Sequence, residues 1–143
     1  MIQRIQSVFL ALGALCSFGQ FGTDAAETPT PVPGSEVFSD AQFNIFDSPI
    51  LIGGVVAAGL LLLAGIFLFR NRRLQTILAR VALIITIAYV TFGGVLYSGA
   101  VGTAQASADF GIVLPVLAMI FAVLAARYIQ KDEKLVRSAD RLR

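Results

Sequence analysis

The stretch PILIGGVVAAGLLLLAGIFLF at positions 49–69 decides the fold, because its 21 residues carry no charge. A helix of about 20 apolar residues crosses the hydrocarbon layer of a bilayer, which is roughly 30 Å thick. Backbone polar groups in that layer find no water, so they must bond to one another within the segment. The stretch therefore predicts a transmembrane helix.

Three further apolar runs lie along the chain. They predict helices at 5–22, 77–98 and 110–129, and the short basic loop RNRRLQ joins the second and third helices. So short a connection makes those two helices antiparallel neighbours. We expect an all-α membrane protein: an antiparallel bundle of four transmembrane helices over residues 1–143, with an outer loop at 23–48 and a tail at 130–143.

The composition of the chain favours a membrane location. Hydrophobic residues make up 57% of the 143 residues and charged residues 14%, and the mean hydropathy is +0.80. A soluble domain is roughly 45–50% apolar and about 25% charged. These proportions argue against soluble enzymes, disordered proteins and nucleic-acid-binding proteins, and they make the lipid bilayer the main partner of the chain.

The first apolar run has a second interpretation. Arg4 followed by an apolar stretch also resembles a secretory signal peptide, and GALC around Cys16 resembles a lipoprotein site. However, Leu15 is bulky for the position before a modified cysteine, and DAAE is a weak cleavage region. We favour a retained first helix and keep the signal peptide as the alternative.

Charged residues divide the predicted loops into two classes. All 11 basic residues fall near the termini and around the loop at 70–76, together with three acidic residues, which gives this side a net charge of +8. The segments 23–48 and 99–109 hold the other six acidic residues and no basic residue, a net charge of −6. Because cytoplasmic loops are enriched in lysine and arginine, both termini are predicted to lie in the cytoplasm.

The residues needed for most membrane chemistry are missing from the sequence. The chain has no histidine and one cysteine, so a His-ligated haem or metal, a Ser–His or Cys–His relay and an internal disulfide are unavailable within it. The centres of the predicted helices hold no ionisable residue, although transport and catalysis normally place one at mid-depth. We expect no enzyme activity, no cofactor and no metal site.

Small residues recur at four-residue spacing on each predicted helix. That spacing puts them on one helix face, where small side chains let helices approach closely in lipid. The predicted packing residues are Gly13, Ser17, Gly53, Gly54, Ala57, Ala58, Gly94, Ser98, Ala118, Ala122 and Ala126. These faces pack the bundle internally, or some of them dock on another subunit, and the sequence leaves both possibilities open.

The outer loop contains a stiff proline stretch, TPTPVPGS, and after it the segment SDAQFNIF. The second segment predicts one or two helical turns capped by Ser39 or Asp40, with Phe43 and Phe46 on one face. The two rings either dip into the membrane interface or form part of a lid or docking surface. The loop at 99–109 is nearly featureless, and no strand is expected in the chain.

The C-terminal tail KDEKLVRSADRLR combines charges with an apolar stripe. Leucine, alanine and leucine recur at i, i+4 and i+7, which is one helix face, and Arg137 lies within helical reach of Glu133 and Asp140. We expect residues 131–143 to continue the fourth helix or to form a short helix after it, on the membrane surface or against a partner. The expected contact residues are Leu135, Arg137, Ala139, Asp140 and Leu142.

Three segments together carry a resemblance to a known family. MIQRIQSVFL, FRNRRLQ and LPVLAMIFAVLAARYIQKDEKLVRSADRLR resemble the small four-helix integral membrane proteins of Bacteroidetes-type bacteria, a domain family of unknown function. The resemblance implies a Gram-negative inner membrane, the same four-span topology and a mature chain that keeps Met1. It implies no catalytic residue, and the acidic, proline-rich loop at 23–48 has no counterpart in it.

The sequence is compatible with two candidate functions. The first is a non-catalytic accessory or structural subunit of a larger inner-membrane complex of the respiratory or protein-export type, with other membrane subunits as partners. The alternative is a small transporter or channel that acts as a homo-oligomer, with the polar residues of the third helix lining the path. A membrane enzyme is the least favoured class, because acid–base groups are missing from the helices.

Overall fold

The computed structural model describes residues 2–100 and 105–140, and these residues are mostly helical. Within them, four helices are long and apolar enough to span a membrane. Their bounds are α1 Ile2–Gly19, α2 Pro49–Phe67, α3 Arg72–Ala100 and α4 Val113–Asp140. Each helix packs on the next one along the chain and α4 packs on α1, so the helices form a closed ring around an apolar core.

The helices alternate in direction, which gives the bundle two different ends. Gln6 near the start of α1 donates a hydrogen bond to the Tyr128 carbonyl late in α4, at 3.3 Å. Gln75 near the start of α3 donates to the Gly65 carbonyl near the end of α2, at 2.9 Å. We term this the hairpin end, because residues 68–71 connect α2 to α3 there. The opposite end, the sheet end, carries residues 20–48 and 105–112.

Side-chain caps set the boundaries of the two central helices. The Ser48 hydroxyl accepts a hydrogen bond from the Ile50 N–H at 3.3 Å and starts α2, as Ser commonly does before a helix. The Asn71 side chain accepts a backbone N–H of the following turn at 3.1 Å, so α3 begins at Arg72, before the apolar run predicted at 77–98. The start of α3 is therefore set by the capping side chain of Asn71 and not by the first residue of the apolar run.

The fourth helix extends well past the apolar run predicted at 110–129. It begins at Val113, after a 3-10 turn at Phe110–Ile112, and continues unbroken to Asp140. No glycine or proline interrupts the sequence from 116 to 140, and alanine, leucine, lysine and arginine favour the helix. The apolar run therefore does not set the length of this helix.

A small antiparallel sheet covers the sheet end, although the sequence predicts no strand. Within the described residues its strands are β1 Ala26–Glu27, β2 Gln42–Phe43 and β3 Ser107–Ala108, and β1 lies in the middle. Strands of two residues are too short to show the alternating pattern by which strands are recognised. The prediction of a chain without strands is wrong for this reason.

The helical turn predicted within SDAQFNIF lies later than expected. Phe43 belongs to β2, and a 3-10 turn follows at Ile45–Asp47. Asn44 caps this turn, because its side chain accepts the Phe46 N–H at 2.9 Å and its own N–H donates to the Asp47 carboxylate at 2.7 Å. The pKa of Asp47 is raised above its usual value, because burial raises it by more than the hydrogen bond from Asn44 lowers it. Phe43 is buried and Phe46 is exposed, so the two rings do not share a face.

The predicted outer loop folds over a buried phenylalanine. The ring of Phe38 is fully buried, and its centroid lies 6.0 Å from the ring of Tyr97 and 6.3 Å from that of Phe43. The Ser35 hydroxyl accepts the Phe38 N–H at 3.1 Å, and the turn before it uses Gly34 at a φ of +84°, which favours glycine. Residues 23–48 together with β3 form an ordered cover, which we term the roof.

Candidate functional site: an apolar cavity under the roof

A cavity of about 260 Å³ lies between the roof and the helices. Helix residues form its floor and walls, and roof residues cover it; they include Leu51, Tyr89, Tyr97 and Pro115 of the helices with Ala26 and Phe43 of the roof. A concave, mostly apolar pocket with few polar groups is the usual form of a small-molecule site. This cavity is therefore the candidate functional site.

A glutamine–tyrosine pair supplies two of the polar side chains that line the cavity. Gln20 Nε2 donates to the Tyr89 hydroxyl at 2.9 Å and to the Ser17 carbonyl at 3.3 Å, and both side chains are buried. Gln20 begins the turn Gln20–Gly22 directly after α1, and α1 and α3 are not neighbours in the ring, so this bond crosses the bundle. The polar residues of α3, which line the path in the transporter alternative, differ in burial: Thr86 and Tyr89 are buried, whereas Thr91 is exposed.

Gly111 lets the segment before α4 lie against the segment after α1. Its N–H donates to the Asp24 carbonyl at 2.9 Å, and the Asp109 N–H donates to the Ala25 carbonyl at 2.9 Å. A Cβ at position 111 would overlap the carbonyl group of Asp24. Glycine is therefore required where the roof joins α4.

Most of the predicted packing residues lie between helices. The inward-facing members are Gly13, Ser17, Gly54, Ala58, Ala118, Ala122 and Ala126. Gly54 allows a particularly close approach, because a Cβ there would lie 2.6 Å from Cβ of Tyr89. In these cases small residues do bring the helices of this chain together.

The other predicted packing residues are exposed or half-buried. An added Cβ at Gly53 or Gly94 would meet no atom within 4 Å, Ser98 is exposed, and Ala57 is half-buried. Consecutive residues of a helix point about 100° apart, so Gly53 cannot share the inward face of Gly54. These residues are therefore not buried between the described helices, and docking on another subunit stays open for them.

Several further glycines lie at helix contacts without belonging to a predicted pair, and Gly59 and Gly93 are two of them. A Cβ at Gly59 would lie 2.7 Å from the ring of Phe18, and a Cβ at Gly93 would lie 3.4 Å from Leu51. Gly59 has large residues at four-residue spacing on both sides, so the pattern of small pairs does not select it. A glycine inside a helix lowers the stability of the helix by about 1 kcal/mol relative to alanine. Such a glycine therefore indicates a packing contact that needs it.

The bundle and the roof together correspond to a protein family. A family model described as Domain of unknown function (DUF4293) matches residues 2–142. The chain belongs to the DUF4293 family. A comparison with curated proteins gives no match. Since the family match covers the helices as well as the roof, the DUF4293 domain includes the candidate cavity.

At the hairpin end of the DUF4293 domain, an ion pair joins α3 to the tail of α4. Arg72 Nη2 lies 3.0 Å from Asp132 Oδ2, and the two side chains are 23% and 12% exposed. The start of the tail therefore contacts the chain's own hairpin. Leu135 is 48% exposed. The side chains of three other expected contact residues lie outside the described part, namely those of Arg137, Ala139 and Asp140. Leu142 lies entirely outside it.

Metal-ligating side chains are scattered in the part of the DUF4293 domain that the structure describes. No group of three or more His, Cys, Asp or Glu residues converges there. The acidic residues of the roof act as local acceptors instead. Asp24 Oδ1 accepts a hydrogen bond from Asn44 Nδ2 at 3.0 Å, and Asp40 Oδ1 accepts the Gln42 N–H at 3.2 Å.

Proposed function

We propose that this protein is a non-catalytic integral membrane protein that serves as an accessory subunit of a larger bacterial inner-membrane complex, of the respiratory or protein-export type. The observation that carries the proposal is the outward face of α2, where Gly53 is exposed and Ala57 is half-buried. In lipid, the burial of apolar surface does not drive helices to associate. Small residues four positions apart instead let two helices approach closely and pack. Such a face, pointing away from its own bundle, suits a helix of another subunit.

The proposal places the hairpin end in the cytoplasm and the sheet end outside. The arginine-rich segment 70–73 lies at the hairpin end, which agrees with the enrichment of arginine in cytoplasmic loops. At the sheet end, Phe46 and Phe110 are exposed, and the ring of Phe21 lies 5.8 Å from that of Phe46. Exposed rings at this level are suited to the membrane–water interface, where aromatic side chains collect.

Thiol labelling of spheroplasts tests this topology. In a Cys16→Ala background, Glu36→Cys in the roof is expected to react with an impermeant maleimide, whereas Ser138→Cys is expected to react only after permeabilisation. Both positions are exposed, so the membrane and not burial decides their access. The reverse pattern would overturn the orientation, and reaction of both positions from outside would overturn the four-span arrangement.

A leucine at position 53 tests the proposed docking face. Gly53→Leu is expected to lower co-purification of the partner subunit by about tenfold, because the added side chain prevents close approach of a second helix. Extraction in a mild detergent followed by native mass spectrometry measures this. The matched control is Gly99→Leu on α3, where an added Cβ also meets no atom within 4 Å.

The oligomer found in the wild-type sample separates the two candidate functions. A heteromeric complex that Gly53→Leu weakens and Gly99→Leu preserves supports the accessory subunit. A symmetric homo-oligomer supports the transporter or channel instead. A complex that Gly53→Leu leaves unchanged would contradict the α2 docking face.

A further inference from the structure

We propose that the cavity under the roof binds the hydrocarbon chain of a membrane lipid. This inference goes beyond the subunit function, and it rests on the proposed insertion of the bundle in a bilayer. The cavity measures about 260 Å³. An apolar protein cavity of about 150 Å³ can stay free of water and take up benzene, so this one has room for a longer apolar segment.

Three polar side chains along the cavity, Gln20, Tyr89 and Asn44, are already bonded within the protein. Gln20 Nε2 donates to Tyr89 and to Ser17, and the Tyr89 hydroxyl lies 3.4 Å from Gln20 Oε1. Asn44 Nδ2 donates to Asp24 at 3.0 Å. A buried water needs about two to four polar partners, and these three side chains already use theirs within the protein. The cavity is therefore matched to an apolar ligand.

The opening of the cavity lies on the flank of the bundle. Its exposed lining residues are Gly94 of α3, Ala108 of β3 and Ile112 of the turn before α4. Gly94 has no side chain to narrow the opening, and an added Cβ there would stand in open space. A ligand therefore enters between α3 and the start of α4.

The roof separates the cavity from the solvent beyond the sheet end. Ala26 and Phe43 line the cavity from the roof and are both buried, and Phe38 packs against the ring of Phe43. In the proposed orientation, the opening on the flank faces the outer leaflet, whose apolar molecules are lipid chains. A partner helix has a diameter of about 10 Å and is too wide for a cavity of this volume.

Photo-cross-linking tests the lipid site. The full chain is reconstituted in phosphatidylethanolamine vesicles that contain phosphatidylethanolamine with a diazirine on one acyl chain, and peptide mass spectrometry maps the adducts. Adducts are expected at the cavity residues Leu51 and Phe43, which are 4% and 8% exposed, and at the exposed reference Ile84. Gly94→Leu is expected to lower the cavity adducts about tenfold and to leave the Ile84 adduct unchanged.

Gly53→Leu is the matched control for this experiment. It also adds a side chain at an exposed helix position with open space around it, but Gly53 does not line the cavity. Cavity adducts are expected to stay at the wild-type level in this variant. Adducts confined to exposed residues, or cavity adducts unaffected by Gly94→Leu, would overturn the lipid site.

The thiol labelling of spheroplasts separates this inference from the proposed function. Insertion with the predicted labelling pattern but without cavity adducts would overturn the lipid site alone. Failure of the bundle to insert would overturn both proposals. Cavity adducts in a protein without a partner subunit would support the lipid site whatever the outcome for the α2 docking face.

Discussion

A Gly111→Ala variant is expected to lose much of the stability of the roof. A Cβ at position 111 would overlap the carbonyl group of Asp24, whose oxygen accepts the Gly111 N–H at 2.9 Å. The adjacent bond from the Asp109 N–H to the Ala25 carbonyl holds both segments, so neither backbone can move aside without breaking a hydrogen bond. Forcing extra atoms into a packed site costs about 1–3 kcal/mol, and thermal unfolding in detergent measures the loss.

Gly22→Ala is the control for the Gly111 variant. An added Cβ at position 22 meets no atom within 4 Å, so its free energy of unfolding is expected to stay within about 0.5 kcal/mol of the wild type. Hydrogen exchange is expected to place the loss in Gly111→Ala within residues 23–48 and 105–112. Equal melting of the two variants would show that the close approach at Gly111 contributes nothing.

The adjacent glycines of α2 are expected to respond to alanine in opposite directions. In Gly54→Ala, the new Cβ would lie 2.6 Å from Cβ of Tyr89, so α2 and α3 must separate at a cost of about 1–3 kcal/mol. In Gly53→Ala, the new Cβ meets no atom, and loss of glycine's backbone freedom stabilises the helix by roughly 0.5–1 kcal/mol.

Unfolding of both alanine variants in the same detergent measures this difference. The displaced Tyr89 also accepts the hydrogen bond from Gln20, so Gly54→Ala is expected to loosen the contact between α3 and the turn after α1 as well. Shifts of the same sign and size in the two variants would contradict the inward and outward faces of α2.

The four long helices could be predicted because each contains an apolar run of nearly membrane length. Their ends were less predictable, since they depend on local contacts. Asn71 caps α3 before its apolar run begins, and α4 continues through the charged tail, where Asp132 meets Arg72. Hydrophobicity locates a helix in the sequence, whereas caps and ion pairs set where it ends.

The candidate site could not be predicted, because distant parts of the chain build it. Its residues come from the helices and from a roof whose two-residue strands have no pattern of their own. The sequence did single out Phe43, but as part of a helical turn and not as a buried wall. The spacing of small residues selected both Gly54 and Gly94. It does not indicate that Gly54 faces Tyr89, whereas Gly94 lies at the opening of the cavity.

The strand pairing of the roof makes the cavity a late product of biosynthesis. β1 follows the first helix and β3 precedes the last one, and Ala26 stands opposite Ala108 in the sheet. A nascent chain releases its N-terminal part first, so β1 waits for its second partner until three helices have left the ribosome. A chain that stops before β3 has neither a complete wall nor a complete cover over this space. Ligand uptake would thus distinguish a finished protein from a truncated one.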